Sequence, residues 1–283
     1  MIIIRKIQKM QDFSRKARIK RQSIGLVPTM GALHEGHLSL IRQARKENDL
    51  VIVSIFVNPA QFGPKEDFRK YPRSLARDAQ LCRKEKVDVI FHPDAKEMYA
   101  LNHKTYVSVS GLSDCLCARS RPGHFKGVAT VVAKLFNIVQ PYVAYFGQKD
   151  AQQSVIIKRM AQDLNFALKI KVMPTVRHKD GLALSSRNAY LSKQQRKDAV
   201  VLSQALKFAE LLIKGGLRDA NRIIERMRQR IQRKNSAKIE YVSIVDLDEL
   251  MPVKRITRDC LVALAVRVGE TRLIDNIIVC PKN

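Results

Sequence analysis

Two imidazoles, His34 and His37, stand three residues apart inside Pro28-Thr29-Met30-Gly31-Ala32-Leu33-His34-Glu35-Gly36-His37. Gly31 and Gly36 permit tight backbone approach, and a helix starting there aims free N–H groups and its positive end at an anion. On one face of a first helical turn, both rings can donate hydrogen bonds to phosphate oxygens as charge develops. The two glycines have the spacing of a phosphate-binding loop, but His37-Leu38 stands where that loop needs Lys-[Ser/Thr]. A Walker-type NTPase is therefore disfavoured. A zinc pair or two structural histidines stay open, although zinc needs a third protein ligand and none is near in sequence.

Four further segments carry chemistry. Asn58-Pro59-Ala60-Gln61 offers neutral amides, suited to orienting a hydroxyl-bearing substrate without ionising it, or simply a capped turn. Ser120 to Gly127 opens a helix with Arg121, His124 and Lys126. Gly147-Gln148-Lys149-Asp150 supplies a flexible backbone and a cation for a triphosphate, with Gln152 and Gln153 just beyond. Leu184-Ser185-Ser186-Arg187 joins two hydroxyls to a guanidinium, a plausible phosphate clamp on a loop.

These segments need a frame that brings them together. Apolar runs at 23–27, 50–57, 87–92, 143–146 and 170–173 alternate with helical patterns at 36–46, 74–86, 128–139 and 151–164. Such alternation predicts an α/β fold, a Rossmann-like doubly wound parallel sheet over residues 1–176. Ligands of such sheets bind beyond the carboxyl ends of the strands, where the motifs fall. Residues 177–283 read as a smaller α+β domain, with helices over 194–214 and 217–233 and strands at 239–245, 260–268 and 272–279. That domain is expected to form a lid over the active site.

Composition excludes several classes. The chain has 283 residues, 52 Lys+Arg against 26 Asp+Glu, and a net charge of +26. Residues 1–176 hold 30 basic and 14 acidic side chains, and residues 177–283 hold 22 and 12, so the excess is spread evenly. A nucleic-acid site would concentrate it in a stripe; the basic run 222–238 instead has Ile223, Met227 and Ile231 at helical spacing, the wet face of an amphipathic helix. No apolar run approaches the roughly 20 residues that cross a bilayer, and Met1 to Lys6 has the wrong order for a signal peptide. The five cysteines are odd in number, and Cys115-x-Cys117 is too tight for a redox or zinc pair. The reading is a cytoplasmic protein of reduced thiols that binds neither nucleic acid nor membrane.

The His-x-Gly-His spacing is similar to that of the adenylyl-transferring superfamily that includes class I aminoacyl-tRNA synthetases. Together with Phe56 to Phe62, Arg121 to Phe125, Phe146 to Asp150, Asp180 to Asn188 and Arg272-Leu-Ile-Asp275-Asn276, in that order, the chain resembles the pantothenate synthetase (pantoate–β-alanine ligase) family over essentially its whole length. The resemblance implies ATP-dependent formation of a pantoyl adenylate, then its capture by β-alanine to give pantothenate and AMP. It implies a homodimer and Mg²⁺ carried with ATP. By position it puts Met30 to His37, Gly147 to Asp150, Val176 and Leu184 to Arg187 in the ATP site, with His34, His37, Lys149, Ser185, Ser186 and Arg187 in catalysis. Gln61, Gln153, Asn58 and Arg121 fall to pantoate and β-alanine. Departures are few: Gln148 and Cys117 stand where some members have Glu. An acidic cluster is thinned to Asp78, the one candidate metal ligand; otherwise phosphates and water would hold the ion. The alternative is a related nucleotidyltransferase passing AMP to a phosphate, which needs no paired amides.

Overall fold

The computed structural model describes residues 1–64 and 66–281. Six strands form one parallel sheet: β1 (Ile2–Ile4), β2 (Ile24–Thr29), β3 (Leu50–Ile55), β4 (Val89–Phe91), β5 (Val143–Gly147) and β6 (Lys169–Met173). Their spatial order is β1-β4-β3-β2-β5-β6. The order reverses between β2 and β5, which pair through Gly25–Val143 and Leu26–Ala144. A crevice beyond the carboxyl ends of strands at such a reversal is where open α/β sheets take ligands.

Continuously apolar strands require cover on both faces. Leu26 and Ile52 face a core shared with α1 (Ile7–Ile19), α5 (His124–Val139) and α6 (Ala151–Asp163). Val27, Val51 and Val53 face the opposite side, against α2 (Glu35–Glu47) and α3 (Leu75–Lys84). A single turn, α4 (Ala95–Met98), follows β4. Patterning alone does not single out β1 or α1. The strand has three residues, and the helix hides its apolar face, with Met10, Ser14 and Ala17 buried, among the closely spaced basic residues from Arg5 to Arg21.

The C-terminal part holds α7 (Lys193–Asp198), α8 (Val201–Lys214) and α9 (Ala220–Gln232) before an antiparallel sheet of β7 (Ala237–Val245), β8 (Cys260–Val268) and β9 (Thr271–Val279). The one helix expected over 194–214 is two. The Val200 and Leu202 N–H groups bond to carbonyls three residues back, at Lys197 and Ala199, and tighten the chain between them. On α9, Ile223, Met227 and Ile231 are buried, so its arginines line the wet side as expected. Alternate residues of β8 serve two cores. Val262 and Leu264 pack with α8 and α9, whereas Leu261 and Ala263 join the core of α5 and α6. The second sheet is thus packed onto the first body. No helix among the described residues is long and apolar enough to cross a membrane.

Candidate active site

β2 ends in a turn that the sequence cannot explain by itself. Gly31 (φ +84°) and Ala32 (φ +50°) are both left-handed, a conformation that costs a residue with a Cβ and needs outside support. Asp78 of α3 supplies it: its two carboxylate oxygens accept the N–H groups of Ala32 and Leu33, each at 2.9 Å. Below, the Thr29 hydroxyl donates to the Ser54 carbonyl at 2.8 Å and accepts the Gly31 N–H at 3.1 Å.

The turn delivers His34 as the N-cap of α2. Its Nδ1 accepts the Gly36 N–H at 3.2 Å, and the Nδ1 of His37 accepts the His34 N–H at 3.3 Å. In a neutral ring that places the proton on Nε2 of each. The rings lie 4.1 Å apart between centroids. Burial, with the Lys149 charge behind it, lowers the His34 pKa to about 4. Burial, His34 and Lys149 hold His37 well below the usual histidine value. Both are neutral hydrogen-bond donors at pH 7. No third His, Cys, Asp or Glu joins them in a metal cluster among the described residues.

Beyond β3, Asn58 caps a 3-10 turn over Pro59–Gln61. Its Oδ1 accepts from the Ala60 N–H (3.2 Å) and the Tyr99 hydroxyl (2.8 Å), and its Nδ2 donates to the Gly127 carbonyl (3.1 Å) and Gln61 Oε1 (3.0 Å). Backbone groups cannot exchange roles, so the Asn58 amide has one orientation, and Gln61 must turn its NH₂ toward Met30 Sδ, 3.1 Å away. His124 Nδ1 donates to the Gln61 carbonyl at 2.8 Å, leaving Nε2 to accept from Arg121 at 2.9 Å. Burial first, then Arg121, brings the His124 pKa to about 4.

One cavity of about 230 Å³ gathers most of the expected residues. Met30, His34, Gly36 and His37 line it beside Gln61, Asn58 and Arg121, and across from Gly147, Lys149, Asp150 and Gln153; Val176 and Leu184 to Arg187 close it. Other expectations need correction. Gly31, Ala32, Leu33, Glu35 and Gln148 do not line the cavity: Leu33 is buried in the α2–α3 core, Glu35 pairs with Arg42 on the outer face, and Gln148 donates to Asn276. Asp78, offered by the sequence as a metal ligand, is 1% exposed with both oxygens already committed to backbone N–H groups. Asn58, also 1% exposed, supports Gln61 from behind. We expect Asp78→Asn, which puts an NH₂ against one of those N–H groups, to cost about 1–3 kcal/mol in thermal melts, the same amount with and without an added divalent cation. A cost that appears only with the cation present would restore Asp78 to the metal.

The cations divide into two kinds. Arg121 is held by Glu66 (2.6 and 2.7 Å) and Arg187 by Asp67 (3.0 and 2.9 Å). Burial works against ionised Asp67, but the Arg187 bond prevails and lowers its pKa. Lys149 has no carboxylate within ion-pair distance among the described residues and is the unpaired cation of the cavity.

Residues 2–278 match the family model described as pantoate-beta-alanine ligase. The chain belongs to this family. It is 56% identical over 278 residues to a pantothenate synthetase of Thermotoga petrophila, covering 98% of this chain and 99% of that one. A pantothenate synthetase of Acetivibrio thermocellus is 54% identical, with 99% of each chain covered. Among solved structures, the pantothenate synthetase of Thermus thermophilus superposes with a TM-score of 0.92 at 42% identity, over 98% of this chain and 99% of that one. A pantoate-beta-alanine ligase of Francisella tularensis, complexed with beta-gamma ATP and beta-alanine, gives 0.81 at 37% identity, over 98% and 97%.

Within this ligase fold, the segment from Phe62 to Arg73 supplies residues that sequence reasoning misses. Glu66 and Asp67 hold the two arginines, and the Tyr71 hydroxyl meets Ser186 Oγ at 3.2 Å. The available signal was an adjacent acidic pair, Glu66-Asp67, set in a strongly basic chain.

Proposed function

We propose that this chain joins pantoate to β-alanine at the expense of ATP, through a pantoyl adenylate, and that the cavity beyond β2 and β5 is where it does so. The observation that carries the reading is the convergence on one cavity of two neutral imidazoles at the start of α2, an unpaired lysine after β5, and the amides of Gln61 and Gln153. The family membership supplies the substrates.

In the first step a pantoate carboxylate oxygen attacks the α-phosphorus of ATP. The bond from that phosphorus to the bridging oxygen breaks, and pyrophosphate leaves with the electron pair. Negative charge builds on the α-phosphoryl oxygens, where His37, donating from Nε2, stabilises it together with the positive end of the α2 dipole. Lys149 meets the phosphates as a point charge. Arg187 joins on exchanging Asp67 for phosphate, while Ser185 and Ser186 donate hydroxyls. Gln61 offers N–H groups only, so it grips an oxygen of pantoate rather than the ammonium of β-alanine. In the second step the amine attacks the acyl carbon, the acyl–oxygen bond to AMP breaks, and the amine's surplus proton passes to solvent.

Mg²⁺ belongs to this reading as ATP's companion, and Asp150 is the one carboxylate among the described lining residues free to meet it. It neutralises phosphate charge, keeping most of its waters. We assign residues 1–176 to the nucleotide and pantoate half and residues 177–283 to a second domain that covers it through Leu184 to Arg187. At about 230 Å³ the cavity is below the ~300 Å³ at the small end of ligand sites, which supports a loop that opens when the Asp67–Arg187 pair parts. The proposal includes a homodimer, as the family resemblance implies, and a cytoplasmic setting, as the reading of the five cysteines as reduced thiols suggests.

Pantoate-dependent exchange of labelled pyrophosphate into ATP, with Mg²⁺ and without β-alanine, tests the adenylate. We expect exchange that vanishes when pantoate is omitted. No exchange with pure, folded protein would sink the mechanism, and a dinucleotide product would point to the nucleotidyltransferase alternative.

A further inference from the structure

The motif Arg272-Leu-Ile-Asp275-Asn276 on β9 has no task in the mechanism above, yet its last residue touches the turn that carries Lys149. The Asn276 Nδ2 donates to the carbonyl of Gln148 at 3.0 Å and to that of Lys149 at 2.9 Å. Its Oδ1 accepts from Gln148 Nε2 at 3.0 Å. Carbonyl oxygens only accept, so the amide has one orientation, and at 4% exposure all its bonding capacity toward this turn is committed. The turn itself, Gln148–Asp150, is three residues long, and no side chain caps its start. It fills the whole connection between β5 and α6, so its conformation rests on those two elements and on the bonds from Asn276.

The neighbouring Asp275 binds the other side of the cavity. Its carboxylate takes Arg177 in a two-bond pair (2.6 and 2.9 Å) at 2% exposure, and Arg177 also donates to the Gly181 carbonyl at 3.1 Å. Two consecutive residues of β9 therefore fasten the turn bearing Lys149 and the loop leading to Leu184. The anchor is 127 positions away from the lysine in the chain.

We propose that Asn276 is the positioning residue for Lys149, fixing the backbone from which its ammonium reaches the phosphates of ATP. This rests on the ligase reading of the cavity. A side chain that must meet a phosphate within a fraction of an ångström needs a backbone that does not drift, and the two Asn276 donors provide it.

Asn276→Asp is near-isosteric but sets a carboxylate oxygen against two carbonyls. ATP affinity, measured by titration calorimetry on the whole protein without the other substrates, is expected to fall roughly tenfold or more, with the KM values for pantoate and β-alanine within about twofold of the parent. The deciding measurement is a cycle with Lys149→Ala. If Asn276 acts through the lysine, Asn276→Asp costs less than about twofold in ATP affinity once Lys149 is gone. An equal cost in both backgrounds, or a loss of affinity for all three substrates alike, overturns the proposal. Should Asn276→Asp fail to fold, Gln148→Leu, which removes a single bond to Asn276, carries the same cycle with a smaller expected loss. Absence of pantoate-dependent exchange in the parent protein would instead count against the ligase reading, independently of how the cycle closes.

Discussion

Replacing His37 with alanine should lower kcat by roughly 10²–10³, the usual cost of losing one donor aimed at charge that develops in the transition state. The size follows from the state of the ring. Its Nδ1 is taken by the His34 N–H, so the neutral tautomer leaves a proton on Nε2. Burial, the adjacent His34 and the Lys149 charge all hold its pKa down, so the ring does not ionise near neutrality. A histidine with a depressed pKa is neutral above that pKa and gains charge only as pH falls through it, below the usual histidine range. Hence kcat/KM for ATP, which reports groups of the free enzyme, should have no acid limb near pH 6.5 from either imidazole, and the deficit of His37→Ala should be constant between about pH 6 and 8. A drop of less than tenfold would remove His37 from the mechanism. An acid limb near 6.5 that disappears in the variant would make the ring a cation in the free enzyme.

The parallel sheet is legible because its strands are apolar on both faces, so runs such as Leu50 to Ile55 cannot be mistaken for half-wet strands. The residues lining the cavity are legible for another reason: backbone-binding glycines, amides and cations recur where strands end. The supports behind them are not. Asp78 carries no mark that distinguishes a metal ligand from a loop anchor; that depends on Ala32 and Leu33, brought beside it by folding. Arg187 reads as a free phosphate clamp until Asp67, 120 residues away, occupies it. The same holds for Asn276, whose partners lie in the turn after β5, 127 positions away from it at Lys149. Local periodicity and spacing encode which groups face the ligand, whereas the groups that aim them are encoded in tertiary contact.

Gly127→Ala puts that distinction to a severe test. By intrinsic preference the change should help, since glycine inside a helix is about 1 kcal/mol worse than alanine. The position sits in α5 directly against the 3-10 turn of Pro59–Gln61. A Cβ built there would fall within 2.7 Å of the Gln61 nitrogen and closer still to the Ala60 carbonyl. Carbon contacts settle near 3.5–4.0 Å, and both obstacles are backbone, so helix and turn must part by about 1 Å. That opens the Asn58–Gly127 bond and releases the amide that orients Gln61. Overpacking of this kind typically costs 1–3 kcal/mol, outweighing the helical gain, and a displacement near 1 Å at a reacting group is worth about 10²-fold in rate. The expected result is a folded protein with a lowered melting temperature, kcat/KM for pantoate reduced by about 10², and an ATP dissociation constant within about threefold of the parent. The two readouts separate the causes: a loss shared equally between pantoate and ATP would mean general disruption, and unchanged pantoate kinetics would mean that Gln61 does not depend on the contact between α5 and its turn.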